Sequence, residues 1–184
     1  MQKLIAGLVS VVAAIFVVSA TYAFVAQMLR TYTLSSLTES DISVAQALEV
    51  AQGAIDECKK DNSAVTVAVV DRLGGIRFLI RGDGASPQDV DAARRKAYTA
   101  RTFRTPTSAW MERTALDAVD DKGKPIDLNG QRMLEDTIAQ KGGIPIIWHG
   151  DAIGGVGVSG SKGGEEADET CAKAGADAIA DQLF

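Results

Sequence analysis

The chain has 184 residues, 46% of them hydrophobic and 23% charged, with 24 acidic and 19 basic side chains and a formal net charge of −5. This composition excludes an intrinsically disordered chain and is typical of one globular domain with its own core. All 24 acidic residues follow residue 30, but only 17 basic ones do (19 less Lys3 and Arg30), so the basic surface that nucleic-acid binding requires is missing and no nucleic-acid partner is expected.

The N-terminus is dominated by residues 4–29, which carry no charged side chain and are flanked by Lys3 and Arg30. One interpretation is a signal peptide that is removed after the small residues ending at Ala20 or Ala23. The other is an uncleaved signal anchor, because the run exceeds the roughly 20 residues that span a bilayer. In both cases the positive N-terminus stays inside and the rest of the chain is exported.

The sequence therefore divides into residues 1–30, a signal anchor or signal peptide, and residues 31–184, an exported domain. We expect the anchor to be retained, which places the domain on the periplasmic side of the inner membrane. A domain secreted after cleavage is the alternative. The membrane is then one partner of the chain, through its N-terminal apolar helix.

The exported part opens with a helix and a hairpin. Thr38 and Asp41 form a capping pattern, and apolar residues follow at helical spacing, which predicts a helix over residues 40–59. The β-branched run "AVTVAVVD" and the run "GIRFLIRGD" are joined by the turn-rich residues 71–74, so they predict a β-hairpin.

A second helix is predicted from Ser86 as N-cap, with Pro87 at the first helical position and Asp89 three residues after the cap. Residues 105–143 are expected to hold a short helix in "PTSAWMERTAL" and a loop in "DDKGKPIDLNG". The runs "IPIIWHG" and "AIGGVGVSG" predict a hairpin that turns at residues 149–151, and "GEEADETCAKAGADAIADQL" predicts a closing helix. The order helix, hairpin, helix, hairpin, helix predicts an antiparallel sheet covered by helices.

The spacing of Gly155, Gly157 and Gly160 matches the G-x-G-x-x-G loop of dinucleotide-binding proteins. That fold needs a second parallel strand after the loop, whereas only a helix is predicted there. Glu165 and Glu166 suit the positive end of this helix but would repel a pyrophosphate. We therefore interpret the glycines as strand positions that another backbone or a helix approaches closely.

Cys58 and Cys171 lie on the small or apolar faces of the first and last predicted helices. Export would place them in a compartment where disulfides persist. They are either joined across the two helices or are two separate buried thiols. So few ligands do not favour a metal site.

Longer stretches of the sequence resemble a known family. The run "GGIPIIWHGDAIGGVGVSGSKGGEEADETCAKAGADAI" is similar to the C-terminal half of the GlcG/HbpS-type family, which includes the C-terminal domain of PduO-type proteins. The run "VTVAVVDRLGGIRFLIRGDGA" resembles the family's opening hairpin, and "ARRKAYTARTFRTPTS" its central helix. The resemblance covers residues 41–183. It implies an α+β fold with a five-stranded antiparallel sheet flanked by helices, a profilin-like α-β-α sandwich, and symmetric self-association.

The resemblance also implies haem binding or a link to corrinoid metabolism, so haem is a candidate cofactor. An axial iron ligand usually comes from His, Met, Cys or Tyr. His149, the only histidine, lies at a predicted turn beside Trp148 and is interpreted as an exposed turn residue. Met111 and Met133 are alternatives that fit packing equally well.

A group of polar residues forms the candidate ligand-binding site. Lys96 borders a narrow alanine face of the second helix, and Arg81 and Asp83 end the second strand. Together with Thr99 and Ser159 they would form a pocket for a small anionic ligand, and the resemblance places a lysine and an arginine in matching positions. The other interpretation is a structural ion pair between Asp83 and Lys96. No nucleophile lies beside a base, so the sequence does not support catalysis.

Two functions follow. The resemblance favours an exported, non-enzymatic module that binds haem, another tetrapyrrole or a small anion. The retained apolar run favours an accessory subunit of a larger membrane complex, docked on other protein subunits by its N-terminal helix and its periplasmic domain.

Overall fold

The structure, a computed structural model, describes Tyr22 and residues 40–183. Apart from Tyr22, the predicted apolar run lies outside the described residues, and so does Thr38. The chain divides into two units between Glu39 and Ser40, and the predicted division after residue 30 stays a prediction. Among the described residues, every helix is too short or too polar to cross a bilayer.

Residues 40–183 alternate between helices and hairpins in the predicted order. The elements are α1 (Val44–Lys59), β1 (Thr66–Asp71), β2 (Ile76–Arg81), α2 (Asp89–Phe103), α3 (Thr107–Arg113), β3 (Gly143–Trp148), β4 (Asp151–Ser159) and α4 (Gly164–Asp177). Short 3-10 helices lie at Asn129–Met133, between α3 and β3, and at Ala180–Gln182, after α4.

The sheet is antiparallel with the order β2-β1-β4-β3. The expectation of five strands is wrong for the described residues, which form four. Between α3 and β3 the chain makes one isolated bridge, from Val119 to Pro125, and no further strand. The physical reason lies in the stretch "DDKGKPIDLNG", whose glycines, proline and charges offer no alternating apolar face to a sheet.

Helices α1 and α2 both begin later than predicted. Ser43 caps α1, because its hydroxyl accepts a hydrogen bond from the Gln46 amide while the Gln46 side chain accepts one from the Ser43 amide. The Asp41 carboxylate instead accepts from Arg77 and from the amide of Arg72. It thus fastens the β1–β2 hairpin to the chain that leads into α1.

Helix α2 begins at Asp89, and the prediction of Ser86 as its N-cap is wrong by two residues. The amides of Asp89 and Val90 bond to carbonyls three residues back, so a tight turn precedes the helix. Ser86 and Asp89 still interact, since the Asp89 carboxylate accepts from the Ser86 amide at 3.1 Å. The pattern therefore predicted the contact but not the first helical residue.

The helices cover the sheet on both faces. Val67 and Val69 of β1 belong to the main core with α1 and α4, whereas Ala68 and Val70 point to the other face and pack on α2. On that second face, α2 lies directly over Gly157, where an added Cβ would be 2.1 Å from the Ala93 carbonyl oxygen. Gly155 and Gly157 thus follow their predicted interpretation as strand positions of close approach, whereas Gly160 lies one residue after β4 with a φ of +108°.

Candidate functional site

A buried ion pair lies where α2, β4 and α4 meet. The Nζ of Lys96 is 2.8 Å from the Asp168 carboxylate and donates a second hydrogen bond, of 3.0 Å, to the Val158 carbonyl. Lys96 is only 1% exposed and Asp168 4%. The prediction of Asp83 as the partner of Lys96 is wrong, because the lysine extends toward α4 and not toward the end of β2.

Gly142 leaves the space through which Lys96 reaches Asp168. Its φ is +120°, and an added Cβ would lie 2.8 Å from the Asp168 Cβ and 3.1 Å from the Lys96 Nζ. The second carboxylate oxygen of Asp168 accepts a hydrogen bond from the Ser161 amide at 2.9 Å. The pair therefore joins helices from opposite faces of the sheet, and two of the three Lys96 donors and both Asp168 oxygens are bonded within the protein.

The first turns of α4 hold the chain that leads into β3. The Glu169 carboxylate accepts hydrogen bonds from the amides of Ser108 and Gly142, and Glu165 accepts one from the Lys141 amide. On the surface, the hydrogen bond between Lys141 and Glu166 raises the pKa of the lysine and lowers the pKa of the glutamate. The sequence indicated only a helix-dipole role for this acidic stretch, because no local pattern shows which backbone amides the carboxylates bind.

Of the predicted site residues, only Asp83 lines one of the two pockets that the structure describes. Arg81 donates to the Ala85 carbonyl at 2.9 Å, and Ser159 donates to Asp89 at 3.2 Å. The Thr99 hydroxyl donates to the Arg95 carbonyl at 2.8 Å. Asp83 lines a surface pocket of about 360 Å³ between the end of α1 and the end of β2. Arg81 and Ser159 both pair with Thr66 at one end of the sheet, and a shared ligand site for the five residues stays a prediction.

The cysteines form a disulfide between α1 and α4, with Cα atoms 5.5 Å apart. Cys58 and Cys171 are both buried and also line a second pocket, of about 260 Å³. This decides between the two alternatives that the sequence left open. Neither sulfur is then available as a thiolate ligand.

The candidate iron ligands lie apart from both pockets. His149 is exposed at the β3–β4 turn, as predicted, with a φ of +48° and its ring 4.3 Å from the Trp148 ring. Met133 is 86% exposed in the long loop, and Met111 is half-buried in α3. Within the described residues, no group of three or more His, Cys, Asp or Glu side chains is arranged to hold a metal ion.

The chain is similar in sequence to a known protein family. Residues 42–177 match the model of a family described as haem degrading protein HbpS-like. GlcG of Escherichia coli is 29% identical over 122 residues, which is 66% of this chain and 84% of GlcG.

Solved structures agree with that match. A double mutant of HbpS from Streptomyces reticuli is 32% identical and superposes with a TM-score of 0.70, over 79% of this chain and 92% of that one. The PduO C-terminal domain, solved as a haem complex, is 24% identical with a TM-score of 0.62, over 76% of this chain and 96% of the other. At that identity the second likeness concerns the fold alone.

Proposed function

The chain belongs to the HbpS-like family, and from that premise we propose that its folded domain is a haem-binding module. Residues 42–177 match a family that is described as haem degrading, and this match is the observation that carries the proposal. Binding is the step that carriage and degradation of haem share, so the proposal commits to binding only. Another tetrapyrrole with the same metal and carboxylate groups is the nearest alternative ligand.

The small-anion form of the hypothesis has less support. An anion site needs an accessible, uncommitted cation, and Lys96 is buried and paired with the Asp168 carboxylate. Arg81 donates to a backbone carbonyl of its own loop. The residues named for an anionic pocket therefore act mainly as structural contacts.

The described residues fit haem at the surface rather than in an enclosed pocket. Haem iron requires an axial donor, and the walls of the two pockets described above contain no histidine, methionine or tyrosine. His149 offers an exposed imidazole. Haem, when bound, would supply an iron centre for ligand binding or redox chemistry, while the chain would supply the donor and the surrounding surface.

We also propose export, with the domain on the periplasmic side of the inner membrane. Two observations support this proposal: the uncharged run over residues 4–29 and the disulfide between Cys58 and Cys171. Disulfides persist in oxidising compartments and are rare in the cytosol. Retention of the run as an anchor remains part of the same proposal.

The test is to extract the full chain from its native membranes in mild detergent and to record its visible spectrum and intact mass. A Soret band at one haem per chain is the expected result, with a mass that includes residue 1 if the anchor is retained. Stoichiometric co-purifying subunits without a Soret band would contradict the proposal and favour the accessory-subunit hypothesis.

A further inference from the structure

We propose that His149 is the axial ligand through which this chain holds haem iron, at the tip of the β3–β4 hairpin. The inference rests on the proposed haem binding and specifies where it occurs. His149 is the only histidine of the chain, and its side chain is exposed. Within residues 40–183 this imidazole makes no hydrogen bond or ion pair, so its nitrogens are available to a metal.

The other donor types in residues 40–183 are less suitable. Both cysteines are consumed in the disulfide. The ring of Tyr98 packs against Gly74, where an added Cβ would meet its carbon atoms at 2.7 Å. Met133 is exposed and therefore serves as the rival donor in the test.

The hairpin tip also offers apolar surface to a porphyrin. The rings of Trp148 and His149 meet edge to face at an angle of 69°. Ile147 is 39% exposed and lies on the opposite face of the sheet from Trp148, which packs against the main core. An apolar macrocycle coordinated by the imidazole would cover Ile147 on the face of the sheet on which α2 packs.

A cation lies close to the same turn. The Arg104 side chain is 60% exposed and its Nη1 is 3.5 Å from the carboxylate of Asp151, two residues after His149. So long a contact between exposed groups is weak, which leaves the guanidinium able to bind a propionate carboxylate. The tip therefore combines a donor, an apolar surface and a cation, the three features that haem recognition uses.

The backbone conformation of the turn determines which substitution of His149 is tolerated. His149 and Gly150 both have positive φ, +48° and +83°, in the turn between the strands. Glycine adopts this conformation without strain, so His149→Gly removes the imidazole and preserves the turn. Loss of haem in this variant would then reflect loss of the ligand and not of the fold.

The experiment titrates haem into the full-length wild-type chain, His149→Gly and the control Met133→Leu, following the Soret band. We expect Met133→Leu to match the wild type and His149→Gly to bind at least tenfold more weakly with a shifted Soret maximum. Free imidazole should restore the wild-type spectrum to His149→Gly, which a purely structural role would not allow.

The outcomes separate this inference from the function on which it rests. Equal binding and an unchanged Soret maximum in His149→Gly would overturn the assignment of His149 and leave haem binding intact. Loss of the band in Met133→Leu would transfer the role to the methionine. No saturable binding by the wild type would overturn both proposals.

Discussion

Lys96 illustrates which properties of a single residue the sequence predicts and which it does not. Its place at the border of the alanine face of α2 predicted a lysine that either lines a ligand pocket or forms a structural ion pair, and it forms an ion pair. Its partner, Asp168, is 72 positions away, and no local pattern connects the two. The choice of Asp83 was wrong because residue spacing specifies a helix face, but not which element crosses the end of the sheet.

The buried pair gives the first prediction at this scale. Lys96→Met should lower the free energy of unfolding by about 3–5 kcal/mol, because it leaves the Asp168 carboxylate buried without a counter-charge. Urea denaturation measures the change. The matched control is Lys173→Met, whose pair with Asp177 is exposed and should cost less than about 1 kcal/mol.

A double variant, Lys96→Met with Asp168→Leu, sharpens this prediction. Replacing both charges with apolar side chains should recover most of the stability that the single variant loses. A double variant as unstable as Lys96→Met would show that packing, and not the unpaired charge, causes the loss.

Close packing under α2 gives the second prediction. Gly157→Ala should destabilise the domain by about 1–3 kcal/mol, since the new Cβ would collide with the Ala93 carbonyl and the Ala97 amide. Thermal unfolding with Gly130→Ala as control tests it, because an added Cβ at Gly130 meets nothing within 4 Å. Equal melting temperatures for the two variants would mean that α2 lies farther from the sheet.

At the scale of elements, hydrophobic period and turn residues predicted the four helices and both hairpins of the described residues. They did so because a strand and a helix place apolar residues at different spacings. The start of α1 was missed because Ser43 and Gln46 form a capping box inside the predicted helix. The fifth strand came from the family resemblance, and the polar loop before β3 does not form it.

The disulfide gives the prediction for this scale. It links α1 to α4 across a sequence separation of 113 residues. Its removal therefore raises the conformational entropy of the unfolded chain. Cys58→Ala with Cys171→Ala should lower the free energy of unfolding by roughly 2–5 kcal/mol. Denaturation with and without a thiol reductant checks the value, and the double variant itself should not respond to the reductant. If reduction left the free energy of unfolding of the wild type unchanged, the disulfide would not stabilise the packing of the two helices.

For the whole molecule, element order and motif order were enough to predict an antiparallel sheet between helices and the family to which the chain belongs. The ligand site was not predictable in the same way. Four of the five predicted site residues bond to neighbouring groups of the protein, and they are Arg81 and Ser159 at strand ends and Lys96 and Thr99 within α2. A site at a turn, as proposed for His149, would leave little periodic signal in the sequence.

The measurement that tests the central claim most directly is an equilibrium titration of haem into the full-length wild-type chain in mild detergent. Haem binding predicts a Soret band that saturates at one haem per chain, with quenching of tryptophan fluorescence because Trp148 adjoins the donor. A linear rise without saturation, equal to that of haem in detergent alone, would contradict it.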